Sequence, residues 1–499
     1  MQERFLSLII LSLLRQARAL YELPPFNHQV NEQCPAKNGL EASSCLRAKN
    51  LNNKIHASER FDAGFAARNL ALRLLLEIEQ NQSYANLVVP ASLRESSLEG
   101  RDRNFVTELV YGTLRMQLLY DAVIVSAAKR SIRKIDSIPL NILRLTAHQL
   151  LTLRISAHAP VDSAVRLTVK NKSGSASGFV NAVSRRISEK SIEQWISELT
   201  MECDECESLS IRFAHPRWIV EEYFQRLGNL ELVVEELEAN NRNPRVSAVI
   251  YPGENWSQES LADSEMAQWV PEARLLHGNP EALPEIKAGT AGIQDQGSYL
   301  VAQALFAARS ESPGLWVDLC AGPGGKAALF DRWAKEEKRE FVGLEISEHR
   351  AALMKRVTKS IVVADGSRPP IPPKSAALVL LDAPCSGLGA LRRRPDARLR
   401  KKQSDIAGLV ALQRTLLQSA IELLIPGGVL GYVTCSPLKS ETSDNREWVL
   451  ANFEGMTSIN ARKLFPKDMS LPESEDVQLW PGAHGTDAMY LALFQKKFT

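Results

Sequence analysis

The sequence predicts a multidomain chain: an all-α domain near its start and an α/β domain with a mostly parallel sheet towards its end. Three observations predict this. Apolar residues recur at helical spacing from Phe61 to about Glu189, with no strand-like alternation between them. From about residue 288 onward, short apolar runs alternate with helical stretches. The 499 residues, 44% hydrophobic and 24% charged, hold apolar material for more than one core.

Taken in order, residues 1–58 read as a poorly ordered extension of unknown role. The apolar run 5–14 is too short to span a bilayer. Arg4 before it and Ala17-Arg18-Ala19 after it give it signal-like flanks. Residues 20–57 are polar and lack periodicity. The all-α domain is expected at 59–194. Ala67, Leu70, Leu74 and Ile78 fall on one helix face, and similar stripes run through 105–120 and 142–153. The segment 172–178 is a loop by composition. Residues 195–285 mix helical stretches (219–227, 230–238) with a strand-like one (245–251), and read as a small α/β connecting domain.

The third domain is expected at 286–499. Its apolar runs are 315–320, 341–346, 361–364, 376–381, 429–434 and 489–494. Candidate helices lie between them, which is the pattern of a sheet covered on both faces. Ligands of such sheets bind beyond the carboxyl ends of the strands. The residues just after each run are therefore the candidates for a site.

Composition narrows the function classes. The net charge is only +2, so any nucleic-acid contact must come from local patches. The seven cysteines (Cys34, Cys45, Cys203, Cys206, Cys320, Cys385, Cys435) are odd in number and widely spaced, unlike a disulfide framework. A reduced, cytoplasmic compartment and no membrane span are expected. The pair Cys203 and Cys206 has no second pair of ligands, so no metal is expected.

The first run ends in Asp318-Leu319-Cys320-Ala321-Gly322-Pro323-Gly324-Gly325-Lys326 and then enters a helix. Glycines let the backbone approach a ligand closely, and a helix start offers free amides. By itself such a turn fits a ligand cradle or a simple strand–helix closure equally well. Glu345 ends the second run, about 20 residues after the glycines, where an acid commonly meets ribose hydroxyls. Asp365 ends the third, placed to meet an adenine amino group. A glycine turn and two acids at consecutive strand ends point to an adenosine site.

The fourth run ends in Asp382-Ala383-Pro384-Cys385-Ser386, and the fifth in Thr434-Cys435-Ser436-Pro437. One strand-end cysteine is usually a small buried apolar residue. Two, beside an acid and a nucleotide pocket, suit covalent catalysis. C5 of cytosine is a poor nucleophile. A thiolate adding to C6 makes C5 enamine-like and able to attack a methyl sulfonium. The C5 proton must then leave and the thiolate must be expelled. Asp382 is the candidate to meet N3 and the exocyclic amine.

On these residues, the stretch from about 60 to 499 resembles the RsmB/Sun (Fmu) family of RNA 5-methylcytosine methyltransferases. The resemblance implies a Rossmann-like class I methyltransferase domain that binds S-adenosylmethionine. It implies that Cys435 of Thr-Cys-Ser is the nucleophile and that Cys385 of Asp-Ala-Pro-Cys-Ser serves product release. It further implies that Cys320, Ala321, Gly322, Pro323, Gly324, Gly325, Lys326, Glu345, Asp365 and Asp382 line the donor site. Other matching stretches are Gly292-Ile293-Gln294-Asp295, Arg393-Arg394-Pro395-Asp396, His484-Gly485-Thr486-Asp487 and Ala214-His215-Pro216-Arg217-Trp218.

The all-α part resembles the NusB-like domain of this family's bacterial members, through Arg101-Asp102-Arg103, the stretch 108–115 and the stretch 178–183. That fusion implies a 16S ribosomal RNA substrate. Transfer RNA is the alternative substrate, and a non-catalytic RNA-binding or assembly factor is the alternative class. A monomer is expected. Pro437 stands where the family often has Leu, Gly322-Pro323 replaces Ala-Pro, and Leu399 replaces an aromatic. For RNA contact, the segment 391–402 offers seven basic residues and one acid. Arg101, Arg103 and Arg115 are further candidates.

Overall fold

The computed structural model describes residues 63–498. The extension 1–58, its signal-like run, Cys34 and Cys45 lie outside the described residues. The chain divides into two compact units: a helical one that ends at Arg217, joined by the short segment Arg394–Asp396, and an α/β one from Trp218 onward.

The helical unit comprises α1 (Ala63–Gln80), α2 (Ala85–Glu95), α3 (Gly100–Arg115), α4 (Gln117–Ala128), α5 (Ser137–Ala147), α6 (His158–Lys170), α7 (Ser177–Ile187), α8 (Ile192–Leu199) and α9 (Glu205–Phe213). The stripe Ala67, Leu70, Leu74 and Ile78 on α1 packs with Val89 of α2 and with Val106, Leu109 and Val110 of α3. A second core gathers Leu119, Tyr120 and Val123 of α4, Ile142 and Leu143 of α5, Leu167 of α6 and Val180 and Val183 of α7. The stripe 142–153 is not one α-helix, because a π-turn at His148–Thr152 follows α5.

The expected boundary at 194 moves. Trp195 of α8 and Ile211 of α9 are buried in the second helical core, and Trp195 Nε1 donates to Ile187 O at 3.1 Å. An indole 3% exposed in this core ties 195–217 to the helical unit rather than to a connecting domain.

The α/β unit starts with α10 (Arg217–Leu227) and α11 (Leu230–Asn241). A small antiparallel sheet follows, of β1 (Ser247–Ile250), β2 (Ser264–Met266), β3 (Ala273–Leu276) and β4 (Ala291–Ile293), in the order β2-β3-β1-β4. Its last strand lies beyond the expected edge at 285. Only β1 was expected as a strand: β2 and β4 have three residues each, too few to show alternation, and β3 (Ala-Arg-Leu-Leu) does not alternate.

The main sheet has the order β10-β12-β9-β8-β5-β6-β7, with β11 paired to β12. Its strands are β5 (Leu315–Asp318), β6 (Phe341–Glu345), β7 (Ile361–Val363), β8 (Ala376–Asp382), β9 (Leu424–Thr434), β10 (Met456–Ile459), β11 (Val477–Gln478) and β12 (Tyr490–Lys496). Neighbours from β7 to β9 run parallel, and β12 is antiparallel to β9. Each of the six predicted runs is a strand.

Both faces of the sheet are buried. Leu315 and Val317 of β5, Val379 and Leu381 of β8 and Leu430 and Tyr432 of β9 enter one core with Leu416 and Ala420 of α15 (Ile406–Leu423). Trp316, Leu378, Leu380, Val429 and Val433 enter the other, with residues of α12 (Gln296–Ala307) and α13 (Gly325–Glu336). This two-sided burial explains why the strands read as continuous apolar runs. α14 (Glu348–Met354) and α16 (Ser443–Asn452) complete the layers. Among the described residues no helix is long and apolar enough to cross a membrane.

Candidate active site

The carboxyl ends of β5, β6, β7, β8 and β9 open on one side of the parallel sheet, and every predicted site residue lies there. Between β5 and α13 the chain turns through Gly324, whose φ of +112° is open only to glycine without strain. A Cβ at Gly322 would stand 2.0 Å from Glu345 Oε2, so a side chain there would displace either the turn or that carboxylate. A Cβ at Gly366 would stand 2.4 Å from Leu319 O, which brings the ends of β5 and β7 together in the same way.

Glu345 is buried. Its Oε1 accepts from Ser347 N and Arg350 Nη2, each at 2.7 Å, which leaves Oε2 towards the glycine turn. Asp365 is exposed at the end of β7, and the Ser367 amide at 2.8 Å holds its carboxyl below the usual range. Gln294 lies within 3.5 Å of where a Cβ at Gly325 would be, and its buried Oε1 has no hydrogen-bond partner. A backbone cradle, an exposed acid and an unpartnered buried acceptor fit an adenosyl amino acid. These residues would hold the donor's adenosine and its charged end groups.

A second cluster adjoins the cradle. Lys326 Nζ donates to Asp382 Oδ2 at 2.8 Å. Burial alone would lower the Lys326 pKa, but Asp382, then Cys435 and Asp318, hold it raised as a firm ammonium. Asp318, at the end of β5, is buried and accepts from Cys320 N at 3.2 Å. Burial first, and the Asp382 charge second, push its carboxyl up to about 8. Burial likewise pushes the Cys320 thiol up.

The two strand-end cysteines meet. Cys385 Sγ and Cys435 Sγ are 3.4 Å apart, because β8 and β9 are parallel neighbours with Asp382 opposite Val433. Cys385 is pushed well up, first by its contact with Cys435 and then by burial. It is thus held as a thiol. Among the described residues no group of three His, Cys, Asp or Glu could hold a metal ion.

Sequence reasoning missed several members. Asp318 read only as part of the run 315–320, and Lys326, expected in the donor wall, gave no sign of its pairing with Asp382. Glu441 gave no signal, yet it is fully buried and accepts from Ser386 N at 2.9 Å and from the hydroxyls of Ser386 and Ser436, each at 2.6 Å. Asp295, Arg393 and Asp487, from three of the matching stretches, converge with Arg392 on one buried charge cluster. Arg393 Nη2 bonds Asp295 Oδ2 at 2.7 Å, Arg392 Nη2 bonds Asp487 Oδ1 at 3.3 Å, and Asp487 N donates to Asp295 Oδ1 at 3.0 Å.

That cluster narrows the reading of 391–402 as seven basic residues offered for RNA contact. Arg392 and Arg398 are buried and Arg393 is half-buried, and Arg398 Nη1 donates to Asn241 Oδ1 at 2.9 Å. Arg394 and Lys402 remain exposed. Arg115 also leaves the RNA candidates, since it is buried in the helical unit, whereas Arg101 is exposed. Arg103 donates to Leu93 O.

Comparison with known proteins identifies the family. Residues 304–495 match the model for "16S rRNA methyltransferase RsmB/F", and residues 66–189 match the NusB family model. "Putative methyltransferase Rv1407" of Mycobacterium tuberculosis is 40% identical over 445 residues, covering 86% of this chain and 96% of that protein. "Probable ribosomal RNA small subunit methyltransferase B" of Bacillus subtilis is 28% identical over 464 residues, covering 87% of this chain and 99% of that protein. The crystal structure of PH0851 shares the fold, with a TM-score of 0.73 at 21% identity over 87% of this chain and 98% of that one. The chain belongs to the 16S rRNA methyltransferase RsmB/F family, an RNA methyltransferase dependent on S-adenosylmethionine with a NusB domain preceding its catalytic domain.

Proposed function

We propose that the protein transfers a methyl group from S-adenosylmethionine to C5 of a cytidine in 16S ribosomal RNA, through a covalent bond between Cys435 Sγ and C6. The observation that carries this reading is the pair of thiols 3.4 Å apart at the ends of β8 and β9, beside the glycine cradle. Family membership supports the RNA substrate, and the curated relatives' names support its being small-subunit rRNA.

The bound donor supplies a methyl group on a positively charged sulfur. The chain's residues do the rest. Cys435 adds as a thiolate, with the Lys326 ammonium as its stabilising charge. The Sγ–C6 bond forms, the C5–C6 π electrons move onto C5, and C5 takes the methyl carbon as the donor's sulfur keeps its bonding pair. A base then removes the C5 proton, the double bond re-forms and Cys435 leaves as thiolate. Cys385, held as a thiol beside it, assists that release. Asp382, anchored through Oδ2 to Lys326, offers Oδ1 to the exocyclic amine and so favours cytosine over uracil. The target base must leave its stack to reach both sulfurs. Cys320 to Lys326, Glu345, Asp365 and Asp382 form the wall of the donor site.

The test is transfer of labelled methyl to unmodified 16S rRNA, transfer RNA and cytosine-containing DNA in parallel. Label as 5-methylcytidine in 16S rRNA alone is expected. Label only in transfer RNA keeps the chemistry and overturns the substrate. No label in any of them overturns naked RNA as the substrate, in favour of a ribonucleoprotein particle or of an assembly factor.

A further inference from the structure

Glu441 lies outside the chemistry just described, yet it joins the two loops that carry it. Its carboxylate is fully buried, where an unpartnered charge is costly. Four hydrogen bonds hold it. Oε1 accepts from Ser386 N at 2.9 Å and from Gln413 Nε2 at 3.0 Å. Oε2 accepts from Ser386 Oγ and Ser436 Oγ, both at 2.6 Å. Ser386 directly follows Cys385 and Ser436 directly follows Cys435. One carboxylate therefore grips both cysteine loops a single residue beyond each sulfur.

A second layer fixes the carboxylate. Gln413 Nε2 also donates to Pro384 O at 3.0 Å, next to Cys385. The Tyr432 hydroxyl donates to Glu441 O at 2.7 Å, and Asn445 Nδ2 donates to Tyr432 Oη at 2.9 Å and to Gln413 Oε1 at 2.8 Å. On the other side of Cys435, Gly389 N donates to its carbonyl at 2.9 Å, and a Cβ at Gly389 would stand 2.8 Å from that same oxygen. Both loops are thus held from two sides.

We propose that Glu441 is a positioning residue: by holding Ser386 and Ser436 on one carboxylate it sets the spacing of the Cys385 and Cys435 sulfurs to serve a single pyrimidine ring. The proposal rests on the two-cysteine reading above. That reading requires one sulfur to attack C6 while the other serves release at the same ring, and a misplacement of about 1 Å can cost about 100-fold in rate.

The experiment uses the full chain and compares wild type with Glu441→Gln and with the double variant Ser386→Ala/Ser436→Ala. The double variant covers the case in which Glu441→Gln does not fold. Phenylarsine oxide, a trivalent arsenical that bridges two close thiols, reports the spacing, with peptide mass mapping to locate it. Methylation of a 16S rRNA transcript gives kcat and KM, and calorimetry gives donor affinity. Wild type is expected to hold the arsenical across Cys385 and Cys435 against a monothiol competitor. The variants are expected to release it and to lose about 100-fold in kcat, with KM and donor affinity within about threefold of wild type. Wild type that does not hold the arsenical, variants that hold it equally well, variants that lose it at full kcat, or variants whose donor affinity falls as far as kcat would each overturn the proposal. The two readings fail separately: methyl transfer by Cys435→Ala sinks the nucleophile and leaves the arsenical result standing.

Discussion

The sulfurs of Cys385 and Cys435 touch, and that contact, with burial, pushes Cys385 well up and holds it as a thiol. A thiol kept protonated beside the attacking sulfur suits the release role proposed for Cys385. Cys435→Ala is expected to abolish methyl transfer and to leave donor affinity unchanged by calorimetry. Cys385→Ala is expected to trap protein on RNA, because attack proceeds while release fails, and a denaturing gel without a slow-moving adduct would count against that role. Asp318 makes a prediction of another kind. Its folded pKa of about 8 lies far above the unfolded value of about 3.9. Its proton is bound more tightly in the native state, so the stability it contributes is full below about pH 4 and is lost as pH rises through about 8. Asp318→Asn has no such proton to lose. The melting-temperature difference, variant minus wild type, should grow from about pH 5 to about pH 8 and then level off. A flat difference would remove Asp318 as the titrating group.

At the scale of elements, the turn between β5 and α13 and the helix α8 each carry a prediction. A Cβ at Gly322 meets Glu345 Oε2 at 2.0 Å, so either the turn or the carboxylate must shift. Overpacking of this kind costs about 1–3 kcal/mol. Gly322→Ala should therefore weaken donor binding about tenfold or more, since about 1.4 kcal/mol corresponds to tenfold. Unchanged calorimetric affinity would place the donor elsewhere. Trp195 of α8 is buried in the core of the helical unit, where truncation of a large aromatic costs about 3–5 kcal/mol. Trp195→Ala should lower that unit's urea midpoint. If 195–217 belonged to a connecting domain, the helical transition would not move. The helix lies past the helical pattern read to about Glu189, and it was not among the expected elements. Its allegiance was not legible either, because periodicity shows which face is apolar but not which core receives it.

Each unit of the whole molecule has its own core, which makes them separable in principle. Removing the helical unit up to Arg217 should leave donor affinity intact and raise KM for a 16S rRNA transcript. An unchanged KM would end the case for the NusB domain as an RNA-binding module. The sequence by itself determined the all-α start, the six main strands and the motif residues at their ends. It could do so because strands buried on both faces are continuous apolar runs, and because glycine, acid and cysteine at strand ends are local signals. Tertiary structure decided which charged groups turn inward. Ser386 and Glu441 are 55 residues apart, and Arg393 and Asp295 are 98 apart. A charged residue reads as solvent-facing until a distant partner compensates its burial. Only folding brings those partners together, so the carboxylate that holds the two cysteine loops and the arginines lost to the buried cluster were settled by the fold.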